Sequence, residues 1–168
     1  MKQLKLFTIL IFLTISFGSY AANLKIGFVN VSSVVLESPQ RAKAEKRLEQ
    51  KFLKRSKKLE KEVKKFTKQL KALEKNKLTM SKEKTSSEVT RLKKIELKLK
   101  RDEKSFADDL NFQRNEELKK IRDAIFKVIK AYAEKYKYNM IFTEAGVLYS
   151  DAATNISSKI LEALKKEK

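Results

Sequence analysis

The 168-residue chain has no cysteine, no histidine and no tryptophan, and only 3 glycines and 1 proline. Each absence closes off a class of chemistry. Without cysteine there is no disulfide and no thiol nucleophile, and without histidine as well the usual soft metal-ligand sets are gone. Histidine is also the commonest general base at neutral pH, and no pair of acids stands out in an apolar setting to take its place. Three glycines do not make a glycine-rich phosphate loop, so no nucleotide is held by that route. So few turn-formers leave room for little except long helices. The composition reads as a helical binding protein and not as an enzyme, with no cofactor or metal.

What the chain does have is charge. Lys and Arg number 40 against 21 Asp and Glu, a formal net charge of +19. Residues 40–104 hold 25 of the basic residues against 10 acidic ones, whereas residues 105–168 hold 12 against 10. The excess is therefore concentrated in one stretch, over which it sets up a positive field. A nucleic acid, an anionic lipid surface or an acidic polypeptide answers to such a field. A solvated face that only maintains solubility has the same composition.

The N-terminus addresses the chain. Lys2 and Lys5 precede an apolar run from Leu6 to Ile15, and Ser19 and Ala21 are small residues at positions −3 and −1 of a cut after Ala21. That is the pattern of a cleaved secretory signal peptide over residues 1–21, with an apolar run too short to span a bilayer comfortably. The expected product is exported, and lacks the cysteine a lipid anchor would need.

Beyond the leader, one pattern dominates. Ser38-Pro39 is a helix start, a hydroxyl N-cap followed by proline at the first helical position. From there to Tyr132 apolar residues recur by threes and fours: Leu48, Phe52, Leu59, Val63, Phe66, Leu70 and Leu73, then Val89, Leu92, Ile95, Leu99, Phe106, Leu110, Leu118, Ile121, Ile125 and Val128. The stripe is only wide enough for a two-helix seam. Residues 79–87 break it with hydroxyl side chains that compete for backbone hydrogen bonds. The spacing thus predicts an antiparallel coiled-coil hairpin over 39–132 with its tip near 79–87. Its two arms of about 40 residues would each be about 60 Å long. From Lys75 to Ser87 only Leu78 and Met80 are available to hold the arms together.

The ends of the chain form the remainder. Residues 24–31 alternate like a strand, with Ile26 and Phe28 on one side, and 32–37 fit a short helical turn capped by a serine. Met140–Thr143, a turn at Gly146, and Val147–Ser150 read as a β-hairpin. Asp151 or Thr154 then caps a last helix with Ile156, Ile160, Ala163 and Leu164 on one face. Segments 22–38 and 133–168 are too short to bury a core alone, and their strand edges invite association. They read as a discontinuous oligomerisation body from which several hairpins project. Its candidate contact residues are Ile26, Phe28, Val29, Ile141, Phe142, Val147 and Leu148. The fold class is mainly α with a small β body.

These residues carry a resemblance. Lys25-Ile26-Gly27-Phe28-Val29-Asn30-Val31 followed by Ser38-Pro39-Gln40-Arg41, and the closing stretch from Lys135 to Phe142 through Val147-Leu148-Tyr149, are similar to the Skp/OmpH family of periplasmic chaperones. The resemblance covers essentially the whole chain after the leader, and is specific at its two ends and compositional along the arms. It implies a homotrimer with a shared β-barrel body and three helical tentacles around a cavity. It implies a periplasmic, ATP-independent holdase for unfolded outer-membrane β-barrel proteins, with association to anionic lipid and lipopolysaccharide besides. On that reading Phe52, Phe66, Phe106, Phe112 and Met80 are candidates to face the client, although the spacing of the first three suits a seam equally well. Two other classes answer to the composition: a basic coiled coil that binds nucleic acid, against which the leader argues, and a structural spacer, for which the tip shows no attachment site.

Overall fold

A computed structural model describes residues 24–166; the leader expected at 1–21 lies outside the described residues. Six elements follow in order: β1 (Ile26–Val29), α1 (Val31–Glu37), α2 (Pro39–Asn76), α3 (Lys82–Tyr136), β2 (Met140–Thr143) and α4 (Ser157–Lys166). The protein is mainly α, an antiparallel helical hairpin of α2 and α3 on a small α/β body.

Local chemistry sets the ends of the arms. The Ser38 hydroxyl accepts from the Arg41 N–H, and Pro39 fills the first helical position. At the far end Ser81 does the same for α3, accepting from the Lys84 N–H at 3.2 Å, while the Thr85 hydroxyl donates to the Ser81 carbonyl. The tip is therefore the short turn 77–81, and not 79–87 as the hydroxyl cluster predicts. Thr85, Ser86 and Ser87 lie in the first turns of α3, where a capped start satisfies the backbone and tolerates them.

The arms are also unequal. α2 has 38 residues and α3 has 55, roughly 55 Å against roughly 80 Å. Arg47 of α2 meets Glu117 of α3, so the last turns of α3 run past the start of α2 and into the body. There Ile121, Ile125 and Val128 join Val29, Val31, Val34, Val35, Ala44, Ile156, Ile160 and Leu164 in one core. The two terminal segments do not bury that core by themselves. They close around the base of the longer arm, and the apolar stripe of α3 serves the seam over one part of its length and the body over the other.

The sheet differs from expectation. β1 and β2 pair in parallel, Ile26 opposite Met140 and Phe28 opposite Phe142. This is the arrangement a long crossover permits and a tight turn does not. Val147–Ser150 is not a strand, and Gly146 turns the chain with φ 87° without a hairpin to close. The second edge of β1 is already taken: the Phe28 N–H donates to the Thr154 carbonyl at 2.8 Å and the Ile156 N–H to the Phe28 carbonyl at 2.9 Å. At Gly27 a Cβ would come within 3.1 Å of the Tyr138 ring and of the Ile156 side chain, so glycine lets β1 lie against both.

A carboxylate fastens β2 to α1. The N-cap of α1 is Asn30 and not a serine; its side-chain oxygen accepts from the Ser33 N–H at 2.8 Å. The first N–H groups of that helix donate to Glu144, Val31 at 2.8 Å and Ser32 at 2.9 Å, and the Ser32 hydroxyl adds a third bond at 2.6 Å. Burial alone would raise this carboxyl. The bonds from Ser32, from the backbone N–H of Glu144 itself and from Val31 more than offset it and bring it down to about 2.

Candidate functional site

The two flanks of the seam near the body are different surfaces. On one flank α2 presents Arg47, Lys51 and Arg55 at four-residue spacing, and α3 answers with Glu117, Gln113 and Asp109 at the same spacing in the opposite direction. Arg47 pairs with Glu117, Lys51 donates to the Gln113 side chain at 2.7 Å, and Arg55 pairs with Asp109 and donates to Ser105 at 2.9 Å. The spacing puts each set on one helix face, so the rungs form a polar ladder that fixes the register of the arms. The bond from Arg47, and then that from Lys120, hold the Glu117 carboxyl below its ordinary value. A weaker rung, Lys98 to Glu62 at 3.6 Å, lies further out.

On the other flank the helices leave an open groove of about 800 Å³. Its floor is Ala44, Leu48, Phe52, Phe106, Leu110, Leu118 and Ile121, and the end of α1 closes it at the body with Val35 and Leu36. Leu53 stands on the α2 rim. Leu36 and Leu53 are exposed, at 62% and 42%, although both are fully apolar. Of its charged lining residues, Arg41 is paired with Glu45 at 2.8 Å, and Glu117, which the groove shares with the ladder, is paired with Arg47 and Lys120. Among the described residues neither Glu49 on the α2 wall nor Arg114 on the α3 wall forms an ion pair.

The sequence candidates fall in different places. Phe52 is buried, and its ring meets Phe106 edge-on with centroids 5.7 Å apart. Arg55 lies 5.6 Å from the Phe106 ring on the ladder side. These two rings therefore form the seam and the groove floor together. Phe66 is half-buried in the outer seam and Met80 half-buried at the tip. Phe112 is 62% exposed and lies outside the groove, on the back of α3. Leu36, Leu53 and Phe126, all exposed, were not singled out by the sequence pattern. The available signal was an apolar residue off the stripe, which periodicity discards.

The candidates for association also divide. Val29 is fully buried in the chain's own core and has no surface to offer, and Phe28, Ile141 and Val147 are half-buried. Ile26, Phe142, Leu148 and Tyr149 are exposed, with Leu148 wholly so, and the outer edge of β2 has no partner strand among the described residues. These residues and the groove have no lining residue in common. Among the described residues no helix is long and apolar enough to cross a membrane.

Comparison with known proteins converges on one group. Residues 25–164 match the family described as outer membrane protein (OmpH-like). The chaperone protein Skp of Photorhabdus laumondii is 32% identical over 158 residues, which is 91% of this chain and 92% of that protein. The Skp chaperone of Blochmanniella pennsylvanica is 28% identical over 140 residues, 82% of this chain and 84% of that protein. An OmpH-like protein of Caulobacter crescentus, known from its crystal structure, superposes with a TM-score of 0.70 over 83% of each chain at 15% identity, which speaks to the fold alone. With the matched region running from the first strand into the last helix, through both arms, the chain belongs to the OmpH-like family.

Proposed function

We propose that this protein is a periplasmic chaperone, an ATP-independent holdase that keeps unfolded outer-membrane β-barrel proteins from aggregating. The observation that carries the reading is the hairpin itself: two helices wide, basic over its outer length, and reaching far beyond the core that its base helps to form. A structure of that shape serves something outside its own core. The curated relatives are chaperones named Skp, which accords with this. The positive arms attract acidic clients from a distance, and many weak contacts then hold a client without giving it a structure. With no nucleotide loop, release follows from transfer to a better site. The exposed Ile26, Phe142, Leu148 and Tyr149, and the free edge of β2, support a homotrimer in which neighbouring bodies complete the sheet. The same charge suits anionic lipid and lipopolysaccharide as secondary partners.

The test is light scattering from a urea-unfolded outer-membrane protein diluted into buffer with and without the purified protein and no nucleotide, with the mass of the complex measured in parallel. The expected result is suppressed scattering and a discrete complex containing three copies. Unchanged scattering at threefold excess ends the chaperone reading, and a stable monomer at micromolar concentration ends the trimer.

A further inference from the structure

Electrostatic attraction explains how a client arrives, but it does not explain the groove. The groove follows α2 from Arg41 to Ser56, a length of about 22 Å. An extended chain of six or seven residues covers that distance at about 3.3 Å per residue. Its rim is unlike the rest of the arms. Arg41 is neutralised by Glu45, and Glu117 by Arg47 and Lys120 on the opposite flank. Among the described residues that leaves one acid, Glu49, and one base, Arg114, without an ion pair, on facing walls at the level where Lys51 meets Gln113. A wall with one charge of each sign complements a neutral peptide backbone, whose N–H groups turn to Glu49 and carbonyls to Arg114. It offers nothing to a polyanion. A second copy of the chain has its own exposed surface on the strand side, away from the groove.

Resting on the chaperone reading, we propose that the groove is a discrete anchoring site for an extended, uncharged client segment with alternating apolar side chains, as found in the strands of a membrane barrel. The apolar residues enter over Leu48, Phe52 and Leu110, and Leu36 and Leu53 close on them from the rim. Capture then has two parts. The basic outer arms set the rate of arrival and are screened by salt, and the groove sets how long a segment stays and is not.

The probe is a synthetic, blocked and uncharged peptide of alternating Val or Tyr and Ser or Thr, ten residues long, with a fluorophore at one end. Its anisotropy is followed against the purified protein and against the double variant Leu36→Glu, Leu53→Glu, in which both substitutions are at exposed positions. Wild type should bind with an affinity that hardly changes between about 0.05 and about 0.5 M salt, where the screening length falls several-fold. The double variant should bind about tenfold more weakly, the loss expected when two apolar rim contacts go. Circular dichroism and solution mass should be unchanged. Equal affinity for the two proteins overturns the proposal, as does wild-type binding that collapses with salt. A changed mass for the double variant makes the groove a contact between copies, which also overturns it. The light-scattering assay on the same samples separates the two readings: if wild type suppresses aggregation while the double variant binds the peptide normally, only the groove falls.

Discussion

The inner and outer halves of the hairpin are built from the same two helices and held by different means. Toward the body, Phe52 and Ile121 are buried, Phe106 packs on Phe52, and three polar rungs tie Arg47, Lys51 and Arg55 to α3. Beyond the Glu62–Lys98 pair no ion pair crosses the seam among the described residues. Leu92 is buried there, but Val63, Phe66 and Leu73 are half-buried, Leu70 and Val89 are exposed, and Leu78 in the turn is 96% exposed. Helicity is equally complete in both halves. Secondary structure is therefore a poor guide to where this molecule is stable, since side-chain burial and cross-arm bonds fade with distance from the body while the helices do not.

The strongest way to break this comparison is to cut into each half in turn. Ile125 and Ile160 are fully buried in the body, so Ile125→Ala or Ile160→Ala should each cost about 2–5 kcal/mol in urea unfolding at fixed protein concentration. Leu78→Ala removes as many carbons as either isoleucine change yet should stay within about 0.5 kcal/mol of wild type, because Leu78 is 96% exposed. Native-state hydrogen exchange maps the same contrast without mutation, with amides of 77–81 exchanging fastest and those of 121–128 slowest. Uniform protection along both arms would show that the rungs add nothing and that the hairpin is rigid to its tip.

What the residues disclosed, and what they withheld, follows the same division. Ser38-Pro39, the stripe, β1, β2 and the existence of the last helix were legible because each depends on neighbours in sequence. The start of that helix was not, since α4 begins at Ser157 and the Asp151 side chain and Thr154 hydroxyl bond within the turn before it and do not cap it. The tip was misplaced because a serine cap at Ser81 turns the hydroxyl-rich 82–87 from a breaker into a helix start, and composition does not reveal which serine caps. The unequal arms were hidden because the stripe of α3 looks alike where it meets α2 and where it enters the body. The parallel pairing of β1 with β2 depends on a crossover of more than a hundred residues, and the short turn at Gly146 pointed to the nearer partner. The groove was invisible for a related reason: Leu36 and Leu53 matter by being off the pattern.

A smaller effect separates the body from both arms. Glu144 bonds to the start of α1, and its carboxyl is lowered to about 2 from an ordinary 4.5. A depressed acid stabilises the fold fully above its unfolded value and loses that contribution as pH falls through its folded one. Glu144→Gln should thus cost about 1–2 kcal/mol at neutral pH, after discounting for the solvent that reaches the open side of the carboxylate. The gap between wild type and variant should shrink as pH falls from about 4.5 to about 2. Exchange at 77–81 should not respond. A gap that is constant across that range would mean that Glu144 acts by shape and not by charge.

The smallest effect is at the joint where α3 ends. Lys137 has φ 58° and ψ 43°, the left-handed conformation in which a Cβ crowds the following carbonyl. The joint is otherwise well satisfied: the Tyr138 N–H donates to the Ala133 carbonyl at 3.0 Å, and the Lys25 ammonium reaches the Tyr136 carbonyl at 2.8 Å. Lys25 also lies 4.4 Å from the Tyr138 ring, so β1 is tied to the end of the helix by the same side chain. The strain is therefore imposed by a turn that the body needs, and a glycine relieves it. The steric relief is worth about 1 kcal/mol, from which the greater freedom of glycine in the unfolded chain takes back part. Lys137→Gly should raise the stability of the body by about 0.5 kcal/mol, and Lys137→Val, whose branched Cβ crowds more, should lower it by more than that. Both should leave exchange at the tip unchanged, since nothing in the outer seam depends on this turn. If Lys137→Gly instead slows exchange across the outer arm, the helix transmits the stability of its base along its whole length, and the two halves of the hairpin are one unit.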